Sequence, residues 1–116
     1  IALQVADVLA CTRRECGVSI DTLRVDGGAA GNDLLMQMQA DYAQCPVERP
    51  SNTEATALGA AHLAGLAVGV WKDVGELAGH RPIARRFEPR MDARAAEAHR
   101  ARWMEAVERS KGWARS

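Results

Sequence analysis

A helix-rich α/β fold with short parallel strands and flanking helices is predicted by three features of the sequence. Two short extended stretches, Leu23-Arg24-Val25 and the segment around Val47, are separated by the 19 residues from Asp26 to Gln44. That interval holds an amphipathic helical pattern and is long enough for a parallel βαβ crossover. Between the first strand and its helix lies a glycine-rich turn, Asp26-Gly27-Gly28-Ala29-Ala30-Gly31.

Each element has its own signal. Ile1, Val5, Val8 and Leu9 fall at i, i+4, i+7 and i+8, an amphipathic helix that fades near Cys16, with Gly17 as its C-cap. Leu23–Val25 alternates like a strand between turn-forming residues. After the glycine turn, Asn32 or Asp33 can cap a helix running to about Gln44, its apolar face formed by Leu34, Leu35, Met38 and Tyr42. Pro46 and Pro50 bracket a second extended segment and predict an edge position or the outer part of a strand. Ser51-Asn52-Thr53-Glu54 predicts a third helix from Ala55 to about Val68, with Ser51 and Glu54 as a capping box. Leu58, Gly59, His62, Leu63 and Leu66 share one face of it, and Gly59 with Ala60 and Ala61 predicts close approach to a neighbouring element. Trp71–Leu77 reads as a loop or a short helical turn, and Arg81–Pro89 as an irregular basic segment. Asp92 then caps a last helix, striped by Ala96, His99, Trp103 and Val107. Two strands make too small a sheet to stand alone, and Ile1 already lies inside a helical pattern, so a piece of a longer protein is expected.

Composition narrows the function. With 116 residues the chain is one domain at most, and 47% apolar with 26% charged side chains are ordinary globular values. Aromatics at 4% argue against a base-stacking platform. No apolar run approaches the roughly 18 residues of a membrane span. Three cysteines, Cys11, Cys16 and Cys45, lack zinc spacing and are odd in number, so reduced thiols in a cytoplasmic protein are expected. Net charge is zero but uneven: residues 1–80 carry 5 basic and 10 acidic side chains, residues 81–116 the reverse. That predicts a basic tail helix lying against an acidic body or partner. Nucleic acid is not an expected partner, because the tail's arginines are mixed with acids and lack interleaved aromatics.

The chemistry-bearing stretch is Leu23 to Asp33. A strand, a glycine turn and a helix start place unpartnered backbone N–H groups and the positive end of a helix dipole where an anion can approach. On these residues alone, a tight connection that binds nothing is as good a reading. Glu54 reads as a capping residue rather than a base, Asp26 as shaping the turn or aiding a nearby hydrated ion, and His62 as a packed structural histidine.

The residues Leu23 to Gly28, Asn32, Leu34 to Asp41, Pro46 to Pro50 and Glu54 to Ala61, continuing through Ala64 to Trp71, closely resemble the C-terminal domain of the glycerol kinase branch of the ATP-dependent carbohydrate kinases. The likeness persists more weakly through Arg86-Phe87-Glu88-Pro89 and the final helix. It implies a partial ribonuclease H-like (actin-like ATPase) domain, one of two that close on a nucleotide. Residues 1–90 would be the C-terminal nucleotide-binding domain without its N-terminal part, and 91–116 its C-terminal helix. By position, the resemblance gives Gly27 and Gly28 to the phosphate end of ATP or ADP and Asn32 to the adenine. It implies ATP and Mg2+ as cofactors, glycerol held by a domain outside this sequence, and glycerol 3-phosphate and ADP as products. The base that deprotonates glycerol lies outside this sequence too, so no catalytic residue and no metal ligand is assigned here. Gly31 and Asp33 depart from the family's usual alanine followed by an Asn-Asn pair, a departure bearing on nucleotide affinity rather than on the phosphate contact. A homo-oligomer and a cytoplasmic location are expected, with no membrane partner. The other readings are a kinase of a related polyol or ketose, or a non-catalytic interaction module docked through the basic tail.

Overall fold

The computed structural model describes residues 1–78 and 82–112, the side chain of Ala78 excepted. The chain runs α1 (Ala2–Cys16), β1 (Leu23–Arg24), a 3-10 turn (Gly28–Gly31), α2 (Asp33–Ala43), β2 (Val47–Pro50), α3 (Ala55–Ala67), α4 (Val74–Ala78), β3 (Ile83–Phe87) and α5 (Ala93–Ser110). Gly17 ends α1 in the left-handed region at φ 63°, its N–H donating to the Arg13 carbonyl at 3.0 Å. Gly17 therefore acts as the expected C-cap.

The three strands form one mixed sheet in the order β1-β2-β3. β1 and β2 are parallel, with Leu23 opposite Val47 and Arg24 opposite Glu48, so the predicted βαβ crossover is present. β3 is antiparallel to β2, which corrects two expectations. Within the segment expected to be irregular, Ile83–Phe87 is a strand (Arg81 lies outside the described residues), and the sheet is not purely parallel. β2 is the central strand, so of the two positions expected for its prolines, an edge or the outer part of a strand, the second is the one found. Pro46 precedes the strand and contributes only its carbonyl, which accepts from Leu23 N–H at 2.8 Å. Pro50 sits where the pairing shifts register between Arg49 and Pro50, so neither ring interrupts a regular ladder.

Strand alternation divides the sheet's faces. Val47 and Phe87, directly opposite one another, pack with Ala30, Met36 and Ala40 in the main core cluster. The other face holds Glu48, which pairs with Arg86 at 2.6 Å and with Arg24 at 3.6 Å. A second cluster of Leu9, Ala43 and Cys45 joins α1 to α2. α2 buries Met36, Gln39, Ala40 and Ala43, while Leu34 is 70% exposed and Met38 also faces solvent. The expected apolar face is thus rotated: small Ala40 and Ala43 let the helix lie close against β2 and α1, and larger side chains at those positions would hold it off.

α3 forms over the expected residues but not with the expected packing. Only Gly65 is buried, Leu63 is 70% exposed, and nothing approaches within 4 Å of a Cβ built on Gly59. The close neighbour is instead Trp71 after the helix end, whose ring closes on Gly65 and meets the His62 ring edge-on at 5.2 Å. Nor does the capping box form. Ser51 Oγ donates to the Pro82 carbonyl at 3.3 Å, and the Asn52 side chain accepts from Glu54 N–H at 2.8 Å. α5 begins at Asp92, whose carboxylate accepts from the Arg94 and Ala95 N–H groups at 3.0 Å. Its Trp103 donates to Asp7 of α1 at 2.6 Å. The tail's basic charge meets the acidic body only in part. Arg85 and Arg86 pair with Asp33 and Glu48, whereas Arg100, Arg109 and Lys111 pair with glutamates of their own helix region.

Candidate functional site

The glycine turn is held from two sides. Gly27 has φ 78°, a conformation that costs glycine little and other residues much, and its N–H donates to the Thr53 carbonyl at 2.9 Å. Its own carbonyl accepts from Ala30 N–H at 3.1 Å, which turns the chain into the 3-10 segment. Ala30 is 1% exposed and anchors that segment in the core, so Gly27, Gly28 and Gly31 stay at the surface. A Cβ built on Gly28 or Gly31 meets nothing within 4 Å. The result is an open backbone ledge, and the first N–H groups of a helical turn have no acceptor within it.

The ledge runs directly into α2. Asn32 is its N-cap, with φ −84° and ψ 104°, and its Oδ1 accepts from Leu35 N–H at 3.1 Å. Asn32 N–H itself returns to the Ala29 carbonyl at 3.1 Å, so ledge and cap form one hydrogen-bonded unit. The side chain remains exposed. Of the two candidate caps, Asn32 is therefore used.

Asp33 has another role. Its two carboxylate oxygens receive Arg49 (2.8 Å) and Arg85. The hydrogen bond from Arg49, with the positive charge of both guanidiniums, outweighs desolvation and holds the Asp33 carboxyl below its ordinary value of 3.8. Both guanidiniums also lie over the Phe87 ring, at 5.4 and 4.7 Å from its centroid. The added negative charge beside the ledge is thus paired rather than projected toward it. Arg49 escaped the sequence reading, although a signal existed. Strand alternation from buried Val47 puts Arg49 on the core face, where a charge needs a partner.

Beyond Thr53 the chain enters α3, and a shallow hollow lined by Asn52, Ala55, Leu58, Gly59 and His62 opens there. Its apolar floor with one amide and one imidazole was not predicted as a site. Glu54 and Asp26 are exposed, and neither joins a cluster with other carboxylates or histidines. Among the described residues there is no group of three or more His, Cys, Asp or Glu side chains placed to hold a metal. Among them, too, no helix is long and apolar enough to cross a membrane. Cys45 is buried and Cys11 and Cys16 are exposed, all three as thiols.

Comparison with known proteins places this chain among relatives. Residues 1–68 match the C-terminal domain of the FGGY family of carbohydrate kinases. The chain is 54% identical over 114 residues to a glycerol kinase of Oleidesulfovibrio alaskensis, and 55% identical over 115 residues to one of Bordetella parapertussis. These alignments cover 98% and 99% of this chain but 23% of either relative, so the chain spans about a quarter of their length. Among solved structures, Plasmodium falciparum glycerol kinase with ADP superposes with a TM-score of 0.83 at 30% identity, over 95% of this chain and 22% of that one. A gluconate kinase from Lactobacillus acidophilus shares the fold, with a TM-score of 0.72 at 18% identity, over 93% of this chain and 21% of that one. The helix-rich, ribonuclease H-like reading of the fold stands, with the mixed three-stranded sheet described above.

Proposed function

This chain belongs to the FGGY family of carbohydrate kinases, and on that premise we propose that it forms the nucleotide-side, C-terminal portion of an ATP-dependent glycerol kinase. The reaction would be transfer of the γ-phosphoryl group of MgATP to glycerol, giving glycerol 3-phosphate and ADP. Residues 1–90 would carry the nucleotide face and 91–116 the terminal helix, with glycerol bound by sequence outside this chain. A cytoplasmic setting suits the thiols and the soluble substrates.

The observation that carries this reading is the open backbone ledge at Gly27 and Gly28 leading into the capped start of α2. With the Gly27 N–H given to Thr53, the Gly28 N–H can approach phosphate oxygens without a side chain intervening, and the dipole of α2 adds a favourable field. Asn32 would meet the adenine. Since its Oδ1 is engaged by Leu35 N–H, the Nδ2 donors are the groups left to bond a ring nitrogen. Mg2+ would arrive with the phosphates and keep most of its water, as its reluctance to dehydrate dictates. That mode needs no preformed metal cage on this chain, and exposed Asp26 would at most accept hydrogen bonds from the ion's water shell.

Titration with ADP, followed by amide resonances, tests the proposal. Shifts centred on Gly27, Gly28 and Asn32 are expected. Shifts confined to α5, or none up to millimolar ADP, would remove the nucleotide reading.

A further inference from the structure

The ledge binds in a defined shape only if the turn and the start of α2 keep a fixed relation, and one side chain spans both. Arg49 lies on the central strand with its side chain 17% exposed. Its Nη1 donates to the Ala30 carbonyl at 2.9 Å and to Asp33 Oδ1 at 2.8 Å. The first partner belongs to the 3-10 turn and the second is the opening residue of α2, so Gly31 and Asn32 are bracketed between two contacts of one guanidinium. Gly31 is the most permissive backbone position in this link. Without an external brace, rotation there would change where Asn32 stands relative to Gly28.

The surroundings show that the brace is built rather than incidental. Arg49 and Arg85 face each other directly across the β2–β3 ladder. Like charges in that position repel. The arrangement is tolerated because Asp33 accepts from both and the Phe87 ring receives both guanidiniums on its π system. Arg85 reaches Asp33 alone, and with its side chain 49% exposed it is the outer, more dispensable member.

We propose that Arg49 is the positioning residue of the nucleotide ledge, fixing the 3-10 turn and the N-terminus of α2 as one rigid unit through Ala30 and Asp33. Arg49 touches no ligand in this scheme; it acts through the geometry of Gly28 and Asn32. The inference deepens the nucleotide reading given above and rests on it for the ligand's identity.

The test compares Arg49→Met, which keeps an apolar stem against Phe87 but no donor, with Arg85→Met, which removes only the outer contact. Two readouts are taken: ADP affinity from amide shifts, and hydrogen exchange in the ligand-free chain. Arg49→Met should weaken ADP binding about tenfold, since two charge-assisted hydrogen bonds are lost, one of them to a carboxylate. It should also speed exchange at the Asn32 and Leu35 amides while leaving α5 unchanged. Arg85→Met should stay within about twofold of the parent, as an exposed ion pair contributes little. ADP affinity in Arg49→Met equal to the parent's, or exchange quickened equally throughout the chain, would overturn the assignment. If the parent itself gives no ADP response, the nucleotide reading falls. The exchange pattern alone then decides, with local quickening upholding the brace and an unchanged or uniform pattern refuting it.

Discussion

A single residue can serve the fold and a ligand at once, and Asn32 separates the two cleanly. Its Oδ1 caps α2, and its Nδ2 is the donor that the proposed nucleotide reading gives to adenine. Serine caps helices about as well as asparagine but offers no amide donor. Asn32→Ser is therefore expected to leave the urea midpoint within error of the parent while weakening ADP binding by about 2- to 10-fold, the range of one neutral hydrogen bond. Loss of stability without loss of affinity would reverse the division of labour. Two glycines of α3 form a second contrast. A Cβ on Gly65 would lie 2.0 Å from a Trp71 ring carbon, whereas one on Gly59 would meet nothing. Gly65→Ala should cost about 1–3 kcal/mol through overpacking, and Gly59→Ala should gain up to about 1 kcal/mol of helix propensity. Denaturant titration of the two variants in parallel would show the opposite signs.

At the scale of elements, α2 is the hub, and Asp41 shows how it secures the last helix. Its Oδ1 accepts from the N–H groups of Arg90 (2.7 Å) and Met91 (3.2 Å), which lead into α5, and from Gln37 at 3.1 Å. Burial alone would raise the Asp41 carboxyl, but these donors and the Arg90 charge hold it below its ordinary 3.8. A carboxyl depressed on folding stabilises fully above its unfolded value and loses that contribution as pH falls through its folded value. Stability should accordingly drop as pH is lowered below about 4, and Asp41→Asn should be weaker at pH 7 yet show a smaller further drop by pH 3. A parent and variant with parallel pH profiles in urea unfolding would disprove the link. The elements that the sequence revealed are those with a strong period or a cap, such as α1 ending at Gly17, α2 opening at Asn32 and α5 opening at Asp92. β3 stayed hidden because Phe87 is its only buried residue, leaving no alternation to see. The buried face of α2 is not legible from apolar size, because Ala40 and Ala43 are buried for their smallness. For the site, the glycine ledge was visible as a turn between strand and helix. Its brace was not, because Arg49, Asp33 and Arg85 are far apart in sequence and meet only once β3 is paired.

At the scale of the whole molecule, the radius of gyration is 17.8 Å, against about 13 Å for a compact domain of this length. The excess reflects α3, α4 and the turn that joins them, which make no broad contact with the sheet among the described residues. Leu63, Val68, Val70 and Val74 are each at least 64% exposed, so apolar surface is concentrated there. Such surface favours association. The apparent mass in light scattering should rise with concentration, and a constant 12.5 kDa at millimolar chain would contradict this. The same openness bears on chemistry. Phosphoryl transfer is accelerated almost wholly by positioning and by charges aimed at the transferring group, in a site closed to water. Here Gly27, Gly28 and Asn32 all face solvent, and the two guanidiniums that reach the start of α2, Arg49 and Arg85, are committed to Asp33. A nucleotide on the ledge would be held on one side alone, by backbone groups and the Asn32 amide, with its γ-phosphate still hydrated. The isolated chain is thus expected to bind ADP without consuming ATP, whether or not glycerol is added. Glycerol-dependent release of ADP by the purified chain in a coupled assay, above a heat-inactivated control, would show that the chain supplies a second wall of its own, and would refute a one-sided ledge.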